Sequence, residues 1–141
     1  MRTVLLAAAL VLAQPPATGD AKKELEKFQG TWTVVSMENG GQKVPEEQSS
    51  QIRLTYKDNT YSVMLGGETR TGTFQIDPSK KPKAIDRTPT SGPNKGKTFK
   101  GIYEFDGETL RCCWSVESDR PTEFVSKAQP LTILEVLKKA K

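Results

Sequence analysis

Histidine is absent from this chain of 141 residues. Because histidine is the commonest general base and metal ligand near neutral pH, its absence excludes a Ser-His-Asp or Cys-His enzyme and weakens the case for a structural metal. Acidic residues such as Glu104, Asp106 and Glu108 alternate around a turn, a pattern more typical of solvated side chains than of a catalytic pair. The sequence therefore predicts no enzyme, no cofactor and no metal site.

Cysteine is scarce, and the two that occur, Cys112 and Cys113, are adjacent. Neighbouring residues on a strand point to opposite faces, so a bond between them would distort the backbone. Three interpretations remain open. The favoured one makes both cysteines small apolar fillers, one inward and one outward. The others are an exposed thiol that pairs with another chain and a vicinal redox pair.

The excess of positive charge is small, since 21 Lys and Arg stand against 17 Asp and Glu, for a net of +4. A nucleic-acid binder concentrates its charge in a stripe with stacking aromatics, whereas the aromatics here are spread through apolar strand positions. The sequence therefore predicts no nucleic-acid binding.

Long hydrophobic runs are missing apart from residues 3–12. That run is shorter than the roughly 20 residues needed to span a bilayer, which argues against a membrane span. With Arg2 before it and Val11-Leu12-Ala13 after it, residues 1–13 match a signal peptide, and the mature chain is expected to begin at Gln14. The predicted location is periplasmic or extracellular.

After the leader, residues 14–20 read as a flexible tether of Pro, Ala, Thr and Gly, and residues 21–141 as a single domain. Residues 21–28 have the apolar spacing of a short helix, with Asp20 available as its cap. Residues 44–48, which begin Val44-Pro45, suit a second brief helix.

Alternating and β-branched segments between turn signals predict about eight strands. They cover residues 31–38, 51–56, 60–65, 68–76, 83–88, 98–105, 108–116 and 131–138. The clearest hairpin joins the sixth and seventh of these at Asp106-Gly107, where a type I′ turn is expected. Mostly sequential connections favour an all-β, antiparallel up-and-down barrel with a short N-terminal helix.

Aromatic residues fall on one face of these strands, and Gly30-x-Trp32 opens the first of them, where the indole is expected to close one barrel end. Residues of the last strand are apolar on both faces, and the helix is expected to cover one of them. The candidate lumen or ligand residues are Trp32, Phe74, Tyr103, Phe105, Cys112 and Trp114. Core packing is the favoured role for them, and a small pocket for one apolar molecule is compatible with it.

Basic residues cluster in the loops after the fourth and fifth strands. If those loops adjoin, they form an electropositive rim that attracts anions; the alternative, which is favoured, is ordinary solvated loops. The candidate rim consists of Lys80, Lys81, Lys83, Arg87, Lys95 and Lys97. Arg120 and Glu123, which flank Pro121, are expected to form an ion pair.

Motif order across nearly all of the chain after the leader resembles an uncharacterised secreted domain family of planctomycete bacteria. The motifs are Phe28-Gln29-Gly30-Thr31-Trp32, Val44-Pro45-Glu46-Glu47, residues 72–86, residues 92–97, residues 101–110 and Arg120-Pro121-Thr122-Glu123-Phe124. The resemblance implies a lipocalin-like barrel and no particular activity. The lipocalin pattern itself is matched at Gly30-x-Trp32, and the basic residue that would pack on that indole is Lys138 or Lys139.

Two functions remain open. The leading hypothesis is an exported lipocalin-like binding module for a small apolar molecule or an envelope component. The alternative is a non-enzymatic structural, interaction or inhibitor protein whose barrel is filled and whose loops bind another protein. The sequence leaves the ligand, the partner and the oligomeric state open.

Overall fold

The computed structural model describes residues 19–116 and 119–140, which form two helices and nine strands. The predicted signal peptide and most of the predicted tether lie outside these residues. The elements are α1 (Gly19–Phe28), β1 (Gly30–Asn39), β2 (Gln42–Lys43), α2 (Glu46–Ser49), β3 (Ile52–Lys57), β4 (Thr60–Leu65), β5 (Glu68–Asp77), β6 (Lys83–Pro89), β7 (Phe99–Asp106), β8 (Thr109–Ser115) and β9 (Thr132–Lys139).

From β3 to β9, each strand pairs antiparallel with the next, β1 pairs with β3, and β1 also pairs with β9, which closes an eight-stranded barrel. The two-residue β2 adds to the end of β1. This confirms the predicted fold class, and every predicted strand matches its counterpart to within one residue at each end. No helix within 19–116 and 119–140 is long and apolar enough to cross a membrane.

Helix α1 sits across the barrel end at which β1 begins, here called the closed end. The Phe28 ring enters the barrel and meets four other rings, with centroid distances of 5.0–5.6 Å to Tyr56, Phe74, Tyr103 and Phe105. Burying these faces against one another contributes dispersion and hydrophobic stabilisation. The closed end is therefore solid.

Trp32 joins the helix to the barrel. Its indole N–H donates to the Phe28 carbonyl at 2.7 Å, and the Lys139 ammonium lies 5.2 Å from the ring centroid. The indole is 2% exposed, so it closes the barrel end as predicted. Of the two basic residues considered, Lys139 is the one that packs on it.

Three local predictions are wrong. Helix α1 begins at Gly19, so Asp20 lies in its first turn instead of capping it, and α1 closes the barrel end instead of covering the outer face of β9. In the β7–β8 hairpin, Asp106 pairs with Thr109 and only Gly107 has a positive φ, of 63°. One positive φ at the first loop position fits a type II′ turn, which needs glycine there, and not type I′.

Candidate functional site

The opposite end of the barrel, here called the open end, contains a cavity of about 340 Å³. Its apolar lining includes Met37, Val63, Leu65, Phe99, Trp114 and Ile133, and the loop between β6 and β7 contributes Ser91, Pro93 and Asn94 at the mouth. Side chains from seven strands converge there because inward positions alternate along each strand. The barrel is thus filled in one half and hollow in the other.

Arg87 on β6 extends into this cavity between two aromatic rings. Its guanidinium carbon lies 4.1 Å from the Trp114 ring centroid and 5.0 Å from that of Tyr61. Its side chain is only 14% exposed. A desolvated guanidinium over aromatic faces gains roughly 2 kcal/mol from each good contact, which offsets part of its burial.

Two glycines let these rings reach Arg87. Tyr61 on β4 pairs with Gly72 on β5, and Trp114 on β8 pairs with Gly101 on β7. A Cβ on Gly72 would lie 2.5 Å from the Tyr61 ring, and one on Gly101 would lie 2.6 Å from Trp114 Cε3. Each ring therefore lies flat across a neighbouring strand and approaches β6 from its own side.

Glu135 on β9 is the acidic residue of the cavity lining. Its Oε1 accepts the Trp114 indole N–H at 3.0 Å and faces Arg87 Nη2 at 3.5 Å. The indole bond fixes the carboxylate, whereas the contact to Arg87 is a single long one. The result is a buried cluster of one cation, one carboxylate and two rings beside apolar walls.

The guanidinium of Arg87 is incompletely paired. Within the described residues, its buried Nε has no hydrogen-bond partner, and neither has the hydroxyl of the fully buried Tyr56. Burial lowers the pKa of Arg87, but electrostatic interactions, among them that with the Glu135 carboxylate, raise it more, so the net shift is upward and the group stays charged. Burial raises the pKa of Tyr56, which keeps that hydroxyl protonated.

The six candidate lumen residues all face the interior, but they divide between the two halves. Trp32, Phe74, Tyr103 and Cys112 are buried in the main core, with Phe105 packed against it. Trp114 alone among the six lines the cavity, as judged from the part of the chain that the structure describes. Core packing is thus the role of the other five.

The basic rim does not form as one surface. Loop 78–82 precedes β6 and loop 90–98 follows it, so they lie at opposite barrel ends, about 20 Å apart for a seven-residue strand. Lys80, Lys81 and Lys83 belong to the closed end, where Lys83 Nζ lies 3.1 Å from Glu24 Oε2. Lys95 and Lys97 belong to the open end. Arg87 is not a rim residue, because its side chain points inward.

The segment between β8 and β9 covers the outside of the barrel. Arg120 Nη1 pairs with Asp86 at 2.7 Å and also donates to the Gly101 carbonyl, so the predicted pair with Glu123 is wrong; Glu123 faces Lys127. The segment also buries the Cys113 thiol, which donates to the Val125 carbonyl at 3.5 Å. Both cysteines are free, so the exposed-thiol interpretation of Cys113 is wrong.

Burial raises the pKa of both thiols, most strongly that of Cys112. Protonated, buried thiols are poor nucleophiles and poor metal ligands. In the described part of the chain, no three His, Cys, Asp or Glu residues come together in a way that could hold a metal ion. The cysteines therefore act as small core residues, which agrees with the favoured interpretation.

The residues predicted from the sequence do not include Glu135 and Tyr61, and Arg87 was predicted in the basic rim although it lies in the cavity. A signal for the two charged residues was present: Arg87 alternates with Ile85 and Pro89, and Glu135 lies between Ile133 and Leu137 on an apolar face. A charged residue at an inward position of a strand marks a group that needs a partner inside the barrel.

Comparisons with known proteins support the fold. No protein-family model matches the chain, and no curated protein matches it. A crystal structure of a DUF4847 family protein from Bacteroides vulgatus ATCC 8482 is similar, with a TM-score of 0.51 and 16% identity over 84% of this chain and 98% of that one. At this identity the likeness shows the fold alone. It gives no support to the planctomycete origin suggested by the motif order.

Proposed function

We propose that the protein is a non-enzymatic binding module whose open-end cavity takes a small apolar molecule. The supporting observation is the uneven filling of the barrel. Five rings fill the closed end, whereas the open end retains about 340 Å³ between apolar side chains. Natural ligand pockets begin at about this size and share this mostly apolar lining with a few placed polar groups.

The cavity chemistry favours binding over catalysis. The charged groups lining it are Arg70, Arg87 and Glu135, and the sequence has no histidine to serve as a base. A guanidinium that stays charged cannot exchange protons near neutral pH. These groups are suited to orient a ligand.

Titration calorimetry with octan-1-ol, an uncharged probe, tests this function. The expected result is saturable binding with one site per chain, because the molecule is small enough for the cavity and its alkyl chain loses water contact there. The alternative function, in which a filled barrel acts through its loops, predicts no saturable binding. That outcome would contradict the proposal.

We also propose that the protein is exported to a periplasm or the exterior, where the ligand is a small apolar molecule or part of an envelope component. The support is the Arg2-led apolar run of residues 3–12 and the small residues that follow it. N-terminal sequencing of the protein from its own host is expected to begin at Gln14. A chain that retains Met1 and stays in the cytoplasm would contradict export.

A further inference from the structure

The cavity floor presents hydrogen-bond donors that the chain itself leaves open. Arg87 has five N–H groups, and within the described residues it makes one hydrogen bond, the long one to Glu135. Its Nε is buried without a partner. The Arg87 side chain is 14% exposed and lines the cavity, so the accessible edge of its guanidinium can donate to an acceptor there. A hydrogen bond to this charged, largely desolvated group would gain more than one at the surface.

Arg87 lies between the filled and hollow halves of the barrel. It pairs across the sheet with Phe74 of the closed end on one side and with Phe99 of the cavity on the other. Its guanidinium therefore forms the floor of the cavity at the boundary between the two halves.

The charge of the cavity favours an anion. Two arginines and one glutamate line it, for a net charge of +1. Arg70 also meets Glu68 at 3.0 Å, but that pair is exposed and contributes little. Loop 90–98 at the mouth adds Lys95 and Lys97 and contains no acidic residue. One negative charge on the ligand would bring the cavity to neutrality.

Size limits what the ligand is. At roughly 30 Å³ for each water-sized group, the cavity holds about eleven non-hydrogen atoms. The apolar walls favour an alkyl or aryl body for most of them, with one polar end at the floor.

We propose that the ligand is a small amphipathic carboxylate, whose planar carboxylate accepts hydrogen bonds from Arg87 while its apolar tail contacts Val63, Phe99 and Ile133. A carboxylate matches the two-pronged edge of a guanidinium and carries the single charge that the cavity lacks. A phosphate ester would bring a second negative charge next to Glu135. This inference rests on the proposed function and adds the chemical class of the ligand.

Three probes of one chain length test it on the full chain at pH 7: octanoate, octanamide and octan-1-ol. Octanoate and octanamide have the same number of non-hydrogen atoms and differ in charge. Octanoate is expected to bind at least about tenfold more tightly than octanamide, because both can accept a hydrogen bond from Arg87 but only the carboxylate carries a charge opposite to that of the guanidinium. If octan-1-ol binds and octanoate shows no preference over octanamide, the inference fails while the proposed function stands. If no probe binds, both fail.

The double variant Arg87→Gln/Glu135→Gln locates the preference. It removes both charges together, so no carboxylate is left buried without its cation. The preference for octanoate over octanamide is expected to disappear, because no cation is left at the cavity floor to pair with the carboxylate. Arg70→Gln is the matched control, since it removes a guanidinium that lines the same cavity near its mouth. Its octanoate preference should persist, and equal losses in both variants would overturn the assignment to Arg87.

A measurement on the unaltered protein covers the case in which the double variant does not fold. The Nε–H resonance of Arg87 should shift strongly on adding octanoate and weakly on adding octan-1-ol, because only the carboxylate forms an ion pair with the guanidinium to which that N–H belongs. An octanoate response confined to Arg70, or a response of Arg87 that is the same for both probes, would overturn the inference.

Discussion

At the scale of single residues, the placement of two glycines opposite two aromatic residues determines the geometry of the site. Gly72 and Gly101 have no side chain to obstruct the rings of Tyr61 and Trp114, so both rings lie across the sheet toward Arg87. The relevant property of these glycines is the missing Cβ, since neither has a positive φ. Because Gly72 and Gly101 lack a Cβ, the two rings can contact the guanidinium of Arg87 from both sides.

Gly101→Ala is expected to reduce the free energy of unfolding by about 1–3 kcal/mol, as overpacking does in other cores. The new Cβ would lie 2.6 Å from Trp114 Cε3 and 2.9 Å from the Cys113 carbonyl oxygen, and the backbone atom cannot move aside easily. Urea denaturation measures the change.

Gly67→Ala is the matched control, because Gly67 lies in a turn with no atom within 4 Å of an added Cβ and without a positive φ. Its effect should stay within about 0.5 kcal/mol. Equal effects of the two substitutions would contradict the role assigned to Gly101.

At the scale of elements, helix α1 closes one end of the barrel, and Glu24 attaches the helix to the strands through hydrogen bonds. The Glu24 side chain is 8% exposed and accepts hydrogen bonds from Tyr103 at 2.8 Å, from Lys27 at 3.0 Å and from Lys83 at 3.1 Å. Burial raises the pKa of Glu24, but these three bonds lower it more, and the net pKa lies below 4.5. The carboxylate thus joins the helix to β6 and β7.

Because the pKa of Glu24 is lower in the folded state than in the unfolded chain, the unfolded chain takes up the proton first as the pH falls. The stabilisation from Glu24 is therefore present above about pH 4.5 and lost as the pH falls through the folded pKa. Glu24→Gln is expected to lower the free energy of unfolding at pH 7. The difference in this free energy between the variant and the unaltered protein should become smaller in acid. Chemical denaturation from pH 7 to pH 3 measures the difference.

Glu26→Gln, on an exposed position of the same helix, is the control and should change stability at pH 7 by no more than about 0.5 kcal/mol. If the difference in unfolding free energy between Glu24→Gln and the unaltered protein stays constant from pH 7 to pH 3, the Glu24 carboxylate does not stabilise the attachment of α1.

The elements were predictable because their signals are local. Turn residues and alternation placed each of the eight barrel strands to within one residue, but not the two-residue β2, and the Gly30-x-Trp32 opening indicated the closed end. The site was less predictable, since it depends on how strands wrap. Arg87 and Lys80 are close in sequence, yet one points into the open half and the other lies at the closed end. The direction of the Tyr61 and Trp114 rings depends on glycines of neighbouring strands, which no single strand's pattern reveals.

At the scale of the whole molecule, the barrel is divided along its axis. The closed half supplies stability through Phe28 and its ring partners, and the open half gives up packing to form the cavity. Retaining a hollow of this size forgoes hydrophobic and dispersion energy that side chains could have supplied. Arg87, whose Nε is unsatisfied, lies where the two halves meet, opposite Phe74 on one side and Phe99 on the other. The proposed function depends on this division of the barrel.

The hollow half of the barrel is tested by comparing how tightly two variants, Val63→Trp and Val35→Trp, bind octan-1-ol. Val63 lines the cavity, whereas Val35 is 53% exposed on the barrel exterior, so the same enlargement is made inside and outside. Val63→Trp is expected to bind octan-1-ol at least about tenfold more weakly than the unaltered protein does. An indole at this position excludes two or more CH₂ groups of the ligand from the cavity, each worth about 0.8 kcal/mol. Val35→Trp should remain within about twofold of the unaltered protein. Equal affinities of the two variants for octan-1-ol would show that the probe binds outside the cavity and would contradict a hollow, ligand-binding open half.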